Sequence, residues 1–348
     1  MSRWIDFSTD ERLAMIQKAA ETNNIDETAA EKDWWVTAVL YALFHTSVAP
    51  YLLFKGGTSL SKGWKLINRF SEDVDLALDR EYFLEVKKLN CANCSSNTQI
   101  HNFREKAQDF LLGEFKKELE AVLQDMNLDV KVVGENEFKD ENDDHIKIDH
   151  DKDPSLIVVR YPSLLSASGS YASLEVKIEI SVLSMSEPFE NRTVSSLISD
   201  AYKKEEIDQD YTQDIKTVRP ERTFLEKSFL LCEEYQKPEP RTFRMSRHLY
   251  DIEKLMDTQF ANNALADTNL YKKIVEHRKT FYHVGAVDYN KELPTSITLV
   301  PYNQIIKDFE SDYANMRRSF IYGDSLDFDA LIDRISELQS RFRNINLQ

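Results

Sequence analysis

Residues 172–183 read ASLEVKIEISVL, and this strict alternation is the feature that most limits what the chain can fold into. Glu175, Lys177 and Glu179 share one face of an extended strand, while Val176, Ile178 and Ile180 share the other. A second strand is predicted over residues 74–78, and acids alternate along it as Asp73, Val74, Asp75, Leu76. Shorter strands are expected at 51–54, 130–133 and 155–160. Around them the pattern is helical. Residues 8–23 form an amphipathic helix with Ser8 as N-cap and Glu11 three residues on. Residues 27–46 form a more apolar helix, a short helix follows at 58–67, and a longer one is expected at about 102–126. From about residue 200 the chain reads as helical to its end, over 221–235, 243–258, 266–281, 302–320 and 328–343. The expected architecture is α+β (mixed α/β): two helices, a small mixed sheet, then a helical C-terminal half. We place a first domain at 1–200, with an insertion at about 86–153, and a helical domain at 201–348. Within the insertion, the polar run ENEFKDENDDHIKIDHDKD reads as a solvated loop.

Composition supports a globular body. The 348 residues are 42% hydrophobic and 30% charged, with 19 Phe, 15 Tyr and 4 Trp to build a core. No run of 18 apolar residues exists to span a membrane. The N-terminal stretch MSRWIDFSTDERLAM carries charges throughout and no apolar signal region. Cys91, Cys94 and Cys232 are too few for a disulfide framework. A cytoplasmic place is the expectation from these features. The net charge of -16 argues against a surface that grips nucleic acid as a whole. It leaves room for a local basic site, or for a basic protein partner.

The chemistry is concentrated in residues 54–78, FKGGTSLSKGWKLINRFSEDVDLAL. Gly56 and Gly57 follow a strand, where the missing Cβ atoms let backbone approach a phosphate. Their N–H groups and the start of the next helix make an anion site, and Thr58 and Ser59 add hydroxyls. Asp73 and Asp75 lie at i and i+2 on a strand, so both carboxylates point the same way. Two carboxylates on one rigid face suit Mg²⁺, which can bridge triphosphate oxygens in phosphoryl transfer. A lone Asp-x-Asp or a lone Gly-Gly carries little weight. The order strand, Gly-Gly-Thr, helix, Asp-x-Asp on a strand carries much more.

This stretch resembles the signature of the polymerase-β-like nucleotidyltransferase superfamily, a glycine pair with Ser or Thr and then Asp-x-Asp. Fourteen residues separate Thr58 from Asp73, which is long for that superfamily. The form KGGTSLSK…RFSEDVDLAL is similar to one branch, the AbiEii/AbiGii toxins of type IV toxin–antitoxin and abortive-infection systems. EKDWWVTAVLYAL, RTFLEKSFLLCEEY and RMSRHLYDIEKL extend the resemblance over roughly residues 27–80 and 172–258. It implies an enzyme that moves an NMP from an NTP to an acceptor hydroxyl, with Mg²⁺ or Mn²⁺ at Asp73 and Asp75. Gly56, Gly57, Thr58 and Ser71 would position the NTP, Lys227 would contact phosphate, and Asp251 would complete the site. Glu179 is the candidate for a third metal-binding carboxylate, with Glu175 on the same strand face as its competitor. The implied acceptor is RNA, such as a tRNA 3′ end, and the implied partner is a cognate antitoxin. A small molecule or a protein hydroxyl is the alternative acceptor.

Plainer readings stand beside these. Lys227 alone would be a solvated helix lysine, Asp251 an ordinary helix acid facing Arg247, and Ser71 the start of a turn. Lys55 and Lys62 flank the glycine turn and could reach phosphate, although a surface place is the plainer reading. Cys91 and Cys94 form a CxxC with no second half, so metal binding there is not expected. At helical spacing Arg244 and Arg247 share a face in the cluster RTFRMSRH, a candidate for a nucleic-acid backbone or a triphosphate. Trp34 and Trp35 are expected in the core.

Overall fold

The computed structural model describes residues 2–71, 73–89, 94, 96–139, 145–149, 151–165, 174–282 and 284–347. Cys91, and with it the CxxC reading, lies outside the described residues, as do Ala172 and Ser173 of the alternating segment and His150 and His283. The chain divides into two compact units, residues 1–63 with 71–217, and residues 64–70 with 218–348.

The first unit carries the sheet. Its strands are β1 (Leu52–Lys55), β2 (Asp73–Leu78), β3 (Lys131–Gly134), β4 (Ser155–Arg160), β5 (Glu175–Ser181), β6 (Phe189–Val194) and β7 (Gln213–Val218). Among the described residues they form one mixed seven-stranded sheet in the order β3-β4-β5-β2-β1-β7-β6. β2 runs antiparallel to β1 and parallel to β5, and β1 runs parallel to β7. Its helices are α1 (Thr9–Asn23), α2 (Glu27–Leu43), the single turn α3 (Gly56–Thr58), α4 (Arg80–Glu85), α5 (Asn97–Phe110), α6 (Lys116–Asp125) and α7 (Leu197–Ala201).

Ser8 and Glu11 close a capping box on α1, satisfying two N–H groups that the helix start leaves without partners. α2 is buried along nearly its whole length and packs on β2 and β5. Val74, Leu76, Val176, Ile178 and Ile180 of those two strands are fully buried. Each contributes about 1.5–3 kcal/mol of hydrophobic stabilisation. That burial fixes the register, because a slip of one residue would turn the acids inward. Trp34 and Trp35 are in the core as expected, and the Trp34 indole N–H bonds both carboxylate oxygens of buried Asp208 at 3.0 and 2.8 Å.

Two strands depart from the sequence reading. β6 and β7 lie in or near a stretch read as loop and helix. β6 is mostly exposed and β7 carries polar residues, so neither shows a long apolar run. Their place comes from pairing, with Thr217 of β7 opposite Phe54 of β1. The polar run of the insertion is also more than a solvated loop. Buried Glu135 accepts from the Leu156 N–H at 3.0 Å, and Asp153 accepts from Ser181 Oγ at 2.6 Å and the Val182 N–H at 2.8 Å.

The second unit is helical: α8 (Pro220–Glu234), α9 (Ser246–Leu255), α10 (Gln259–Ala266), α11 (Thr268–His277), α12 (Ile306–Ser319) and α13 (Phe328–Arg343). α9 packs against α8, α12 and α13. Residues 64–70 thread into this unit. The Trp64 indole donates to the Val218 carbonyl at 2.9 Å, and the Phe70 N–H donates to the Phe320 carbonyl at 2.7 Å.

Candidate active site

The strand register builds one charged face on the first unit. Asp75 of β2 stands opposite Glu179 of β5 on one side and Lys55 of β1 on the other. Asp73 stands opposite Lys177. Residues aligned across paired strands point to the same side, with Cβ atoms about 5 Å apart. Asp73, Asp75, Lys177 and Glu179 therefore share a face, and all four are half-buried, while their neighbours Val74, Leu76 and Ile178 are inaccessible. Glu175 is also on this face, but it aligns with Arg160 of β4, and its carboxylate lies 3.6 Å from the guanidinium. The register thus brings Glu179, rather than Glu175, beside Asp75.

The glycine pair meets this face directly. Gly56 has φ +76°, and a Cβ there would fall 2.0 Å from the nearer carboxylate oxygen of Asp75. The position requires glycine twice over, for its left-handed backbone and for the space that the Asp75 carboxylate fills. Gly57 follows in the buried turn α3, which runs on as a π-helical stretch, Ser59–Gly63. Such stretches are frequent at functional sites. The N-cap position of α3 is Lys55, which gives no side-chain capping bond, so the first N–H groups of the turn are not met by a side-chain cap.

Thr58 is fully buried. Its hydroxyl bonds the Asp73 carbonyl and lies 2.8 Å from Ser71 Oγ. Thr58 and Ser71 thus clamp the start of β2 to the glycine turn. Lys62 is not a surface residue: its ammonium pairs with Asp33 at 2.5 Å, and both side chains are buried. That pair ties the π-helical stretch to α2.

The second unit holds a different arrangement. Asp251 of α9 is fully buried. Arg69 grips it with Nε and Nη2, each at 2.7 Å, and the Lys227 ammonium of α8 reaches it at 2.9 Å. Asp251 thus bonds Arg69 and Lys227, two partners that helical spacing alone does not suggest. Burial raises the Asp251 pKa, but the Arg69 and Lys227 charges outweigh that, so it lies below the ordinary carboxylate value. Lys227 is pulled below the ordinary lysine value, first by burial and then by Arg69, with Asp251 opposing. His248 lies well below the ordinary histidine value for the same reasons: burial, then Lys227, Arg247 and Arg69. Burial and these neighbouring charges disfavour its protonated form. Arg69 is the member that sequence reading missed. Its partner is 182 residues away, so no local pattern marks it. Arg244 has φ +59° and precedes α9, so it shares no helical face with Arg247, contrary to the sequence reading.

The family model described as "Nucleotidyl transferase AbiEii toxin, Type IV TA system" matches residues 38–334, most of the chain. The chain belongs to the AbiEii nucleotidyltransferase toxin family. As a member it is a nucleotidyltransferase, and its membership implies an NTP substrate and an antitoxin partner. Among solved structures, this AbiEii-family chain is similar to MenT4, a nucleotidyltransferase toxin from Mycobacterium tuberculosis H37Rv. The TM-score is 0.50 at 15% identity, over 96% of this chain and 90% of that one, a likeness of fold. No curated protein matches the chain. No helix among the described residues is long and apolar enough to cross a membrane.

The family's chemistry calls for a divalent metal, and the residues fit one. Among the described residues, no three His, Cys, Asp or Glu side chains close into a ready cage. Mg²⁺ does not need a cage. It takes one or two carboxylates and completes its octahedron with water and substrate phosphate oxygens. Two half-exposed carboxylates on one strand, with a third across the register, supply that kind of open donor set.

Proposed function

We infer that this AbiEii-family enzyme transfers an NMP from an NTP to an RNA hydroxyl, such as the 3′ end of a tRNA, and that it depends on Mg²⁺ or Mn²⁺. The observation that carries the reading is the common face of Asp73, Asp75 and Glu179, with Gly56 packed hard against Asp75. Asp73 and Asp75 hold the metal, and Glu179 is the third carboxylate. The metal, when bound, neutralises charge building on the phosphates during transfer. Gly56, Gly57 and the first N–H groups of α3 receive phosphate oxygens, as helix starts do. Thr58 and Ser71 act by fixing β2 against that turn. The family resemblance gives Lys227 the part of phosphate contact and Asp251 that of completing the site; within the second unit, Asp251 holds Lys227 together with Arg69. The acceptor hydroxyl attacks the α-phosphorus in line, and pyrophosphate leaves.

The test is transfer of label. Purified protein is incubated with each α-³²P-labelled NTP, Mg²⁺ or Mn²⁺, and total RNA from the host, with Asp73→Ala in parallel. A labelled band at tRNA size, absent with Asp73→Ala and after chelation, is the expected result. Label on protein or on a small molecule in place of RNA would overturn the acceptor and leave the transferase chemistry standing.

A further inference from the structure

Phe243 is 74% exposed, the most exposed large hydrophobic side chain among the described residues. Leaving an aromatic ring in water forgoes the stabilisation that burial would give. The loop that carries it is held on both sides. Glu234 at the end of α8 accepts from the Arg241 backbone N–H at 2.8 Å and from its guanidinium at 3.1 and 2.9 Å. The same carboxylate takes Lys237 at 2.7 Å. Beyond Phe243, Asp312 of α12 accepts from the Arg244 N–H at 2.6 Å and the Ser246 N–H at 2.9 Å, and it also bonds the Ser246 hydroxyl. Two carboxylates thus pin the backbone two residues before the ring and one after it. The ring is presented outward by a braced loop.

The loop itself is rich in cations. Residues 237–247 contain Lys237, Arg241, Arg244 and Arg247 against one acid within the segment, Glu239, while Glu234 and Asp312 pack against it from α8 and α12, in a chain whose net charge is -16. Arg241 remains 65% exposed while paired with Glu234. The Arg244 guanidinium lies 5.6 Å from the Phe320 ring centre, so it is held over an aromatic face. We propose that Phe243 is a stacking platform for an unpaired base of single-stranded RNA, with Arg241 and Arg244 beside it for the neighbouring phosphates. Recognition of unpaired RNA uses this pairing of one aromatic ring with nearby cations. A protein-docking surface would need a contiguous apolar patch, and a lone ring among charged neighbours does not offer one. The proposal rests on the RNA acceptor inferred above.

The test uses the full chain and a single-stranded RNA oligonucleotide carrying 2-aminopurine, whose fluorescence is quenched on stacking. Wild-type protein is expected to quench it on binding. Phe243→Ala is expected to lose the quench and to bind about tenfold or more weakly, the scale of one base–aromatic stack. Phe243→Trp should restore both, and the KM for NTP should stay unchanged in both variants. Unaltered RNA affinity in Phe243→Ala overturns the proposal and leaves the ring to a protein partner. A fall in melting temperature that matches the loss of binding also overturns it, because the ring would then be structural. Label transfer by the wild type is scored separately. Binding through Phe243 without any transfer to RNA would refute the proposed acceptor and not the stacking.

Discussion

Two sets of carboxylates in this molecule have opposite circumstances. On the first unit, Asp73, Asp75 and Glu179 sit half-buried on one face of the sheet, beside a glycine turn that leaves them room. On the second unit, Asp251 is wholly enclosed, with Arg69 and Lys227 bonded to its two oxygens. The first set is half-open on a face that it shares with Lys55 and Lys177, and it is the set proposed to take a metal ion. The second is closed around Arg69 and Lys227. The same residue type is thus left open to solvent in one place and enclosed among cations in the other, and the difference is set by burial and by which charges the fold brings near.

Substitution in the first set should give the largest effect. Asp75→Asn removes a charge proposed to bind the metal while keeping the shape of the side chain. Nucleotidyl transfer is expected to fall by about 10³-fold or more, roughly 4 kcal/mol of transition-state stabilisation. The melting temperature should hold, because no buried partner is stranded. Transfer above a tenth of the wild-type rate would break the comparison on its catalytic side.

Asp251→Ala should fail in the opposite way. It leaves Arg69 and Lys227 in the interior without their shared acid, and removing one member of a buried ion pair costs about 3–5 kcal/mol. A thermal melt is expected to show that loss, together with reduced activity. If activity disappears while the melting temperature stays, Asp251 belongs with the catalytic acids and the contrast is wrong. Gly56→Ala falls between the two. A left-handed backbone at a non-glycine residue costs about 1–3 kcal/mol. The added methyl must also displace the Asp75 carboxylate, since its place is 2.0 Å from that oxygen. Activity should fall more than stability does, and a variant as active as wild type would show that Asp75 need not sit where it does.

How much of this was legible follows from the range of each interaction. The α1 capping box needed only Ser8 and Glu11, three residues apart, and the structure contains it. The bounds of α13, residues 328–343, were read from its own periodicity. The shared face of Asp73 and Asp75 follows from their spacing on a strand. By contrast, the alignment of Asp75 with Glu179 depends on the register between strands about a hundred residues apart, and alternation alone left Glu175 equally placed. The Arg69–Asp251 pair spans 182 residues and has no local mark. β7 was hidden for a related reason, because its sequence is polar and its strand conformation comes from pairing beside β1.

The smallest effect sharpens the contrast within the second unit itself. Glu292 is fully buried like Asp251, but its nearest cation, Arg278, is shared with Glu233. Arg278 bonds Glu233 through Nε at 2.7 Å and Nη2 at 2.6 Å, and it lies 3.8 Å from Glu292. Burial, and then the Glu233 carboxylate, push the Glu292 pKa up to about 9 against the pull of Arg278. The folded protein therefore keeps a proton on Glu292 that the unfolded chain releases near pH 4.5. Between those two values the folded state binds more protons, so stability falls as pH rises from about 4.5 to about 9. Asp251 has the opposite sign: its stabilisation is present above the unfolded carboxylate pKa and is lost only as pH falls through its depressed folded value. Glu292→Gln keeps a neutral side chain of the same size and removes the proton uptake. Its melting temperature should match the wild type near pH 5 and exceed it at pH 8. Equal melting curves at both pH values would mean that Glu292 is ionised in the fold, as Asp251 is, and that burial alone does not separate the two.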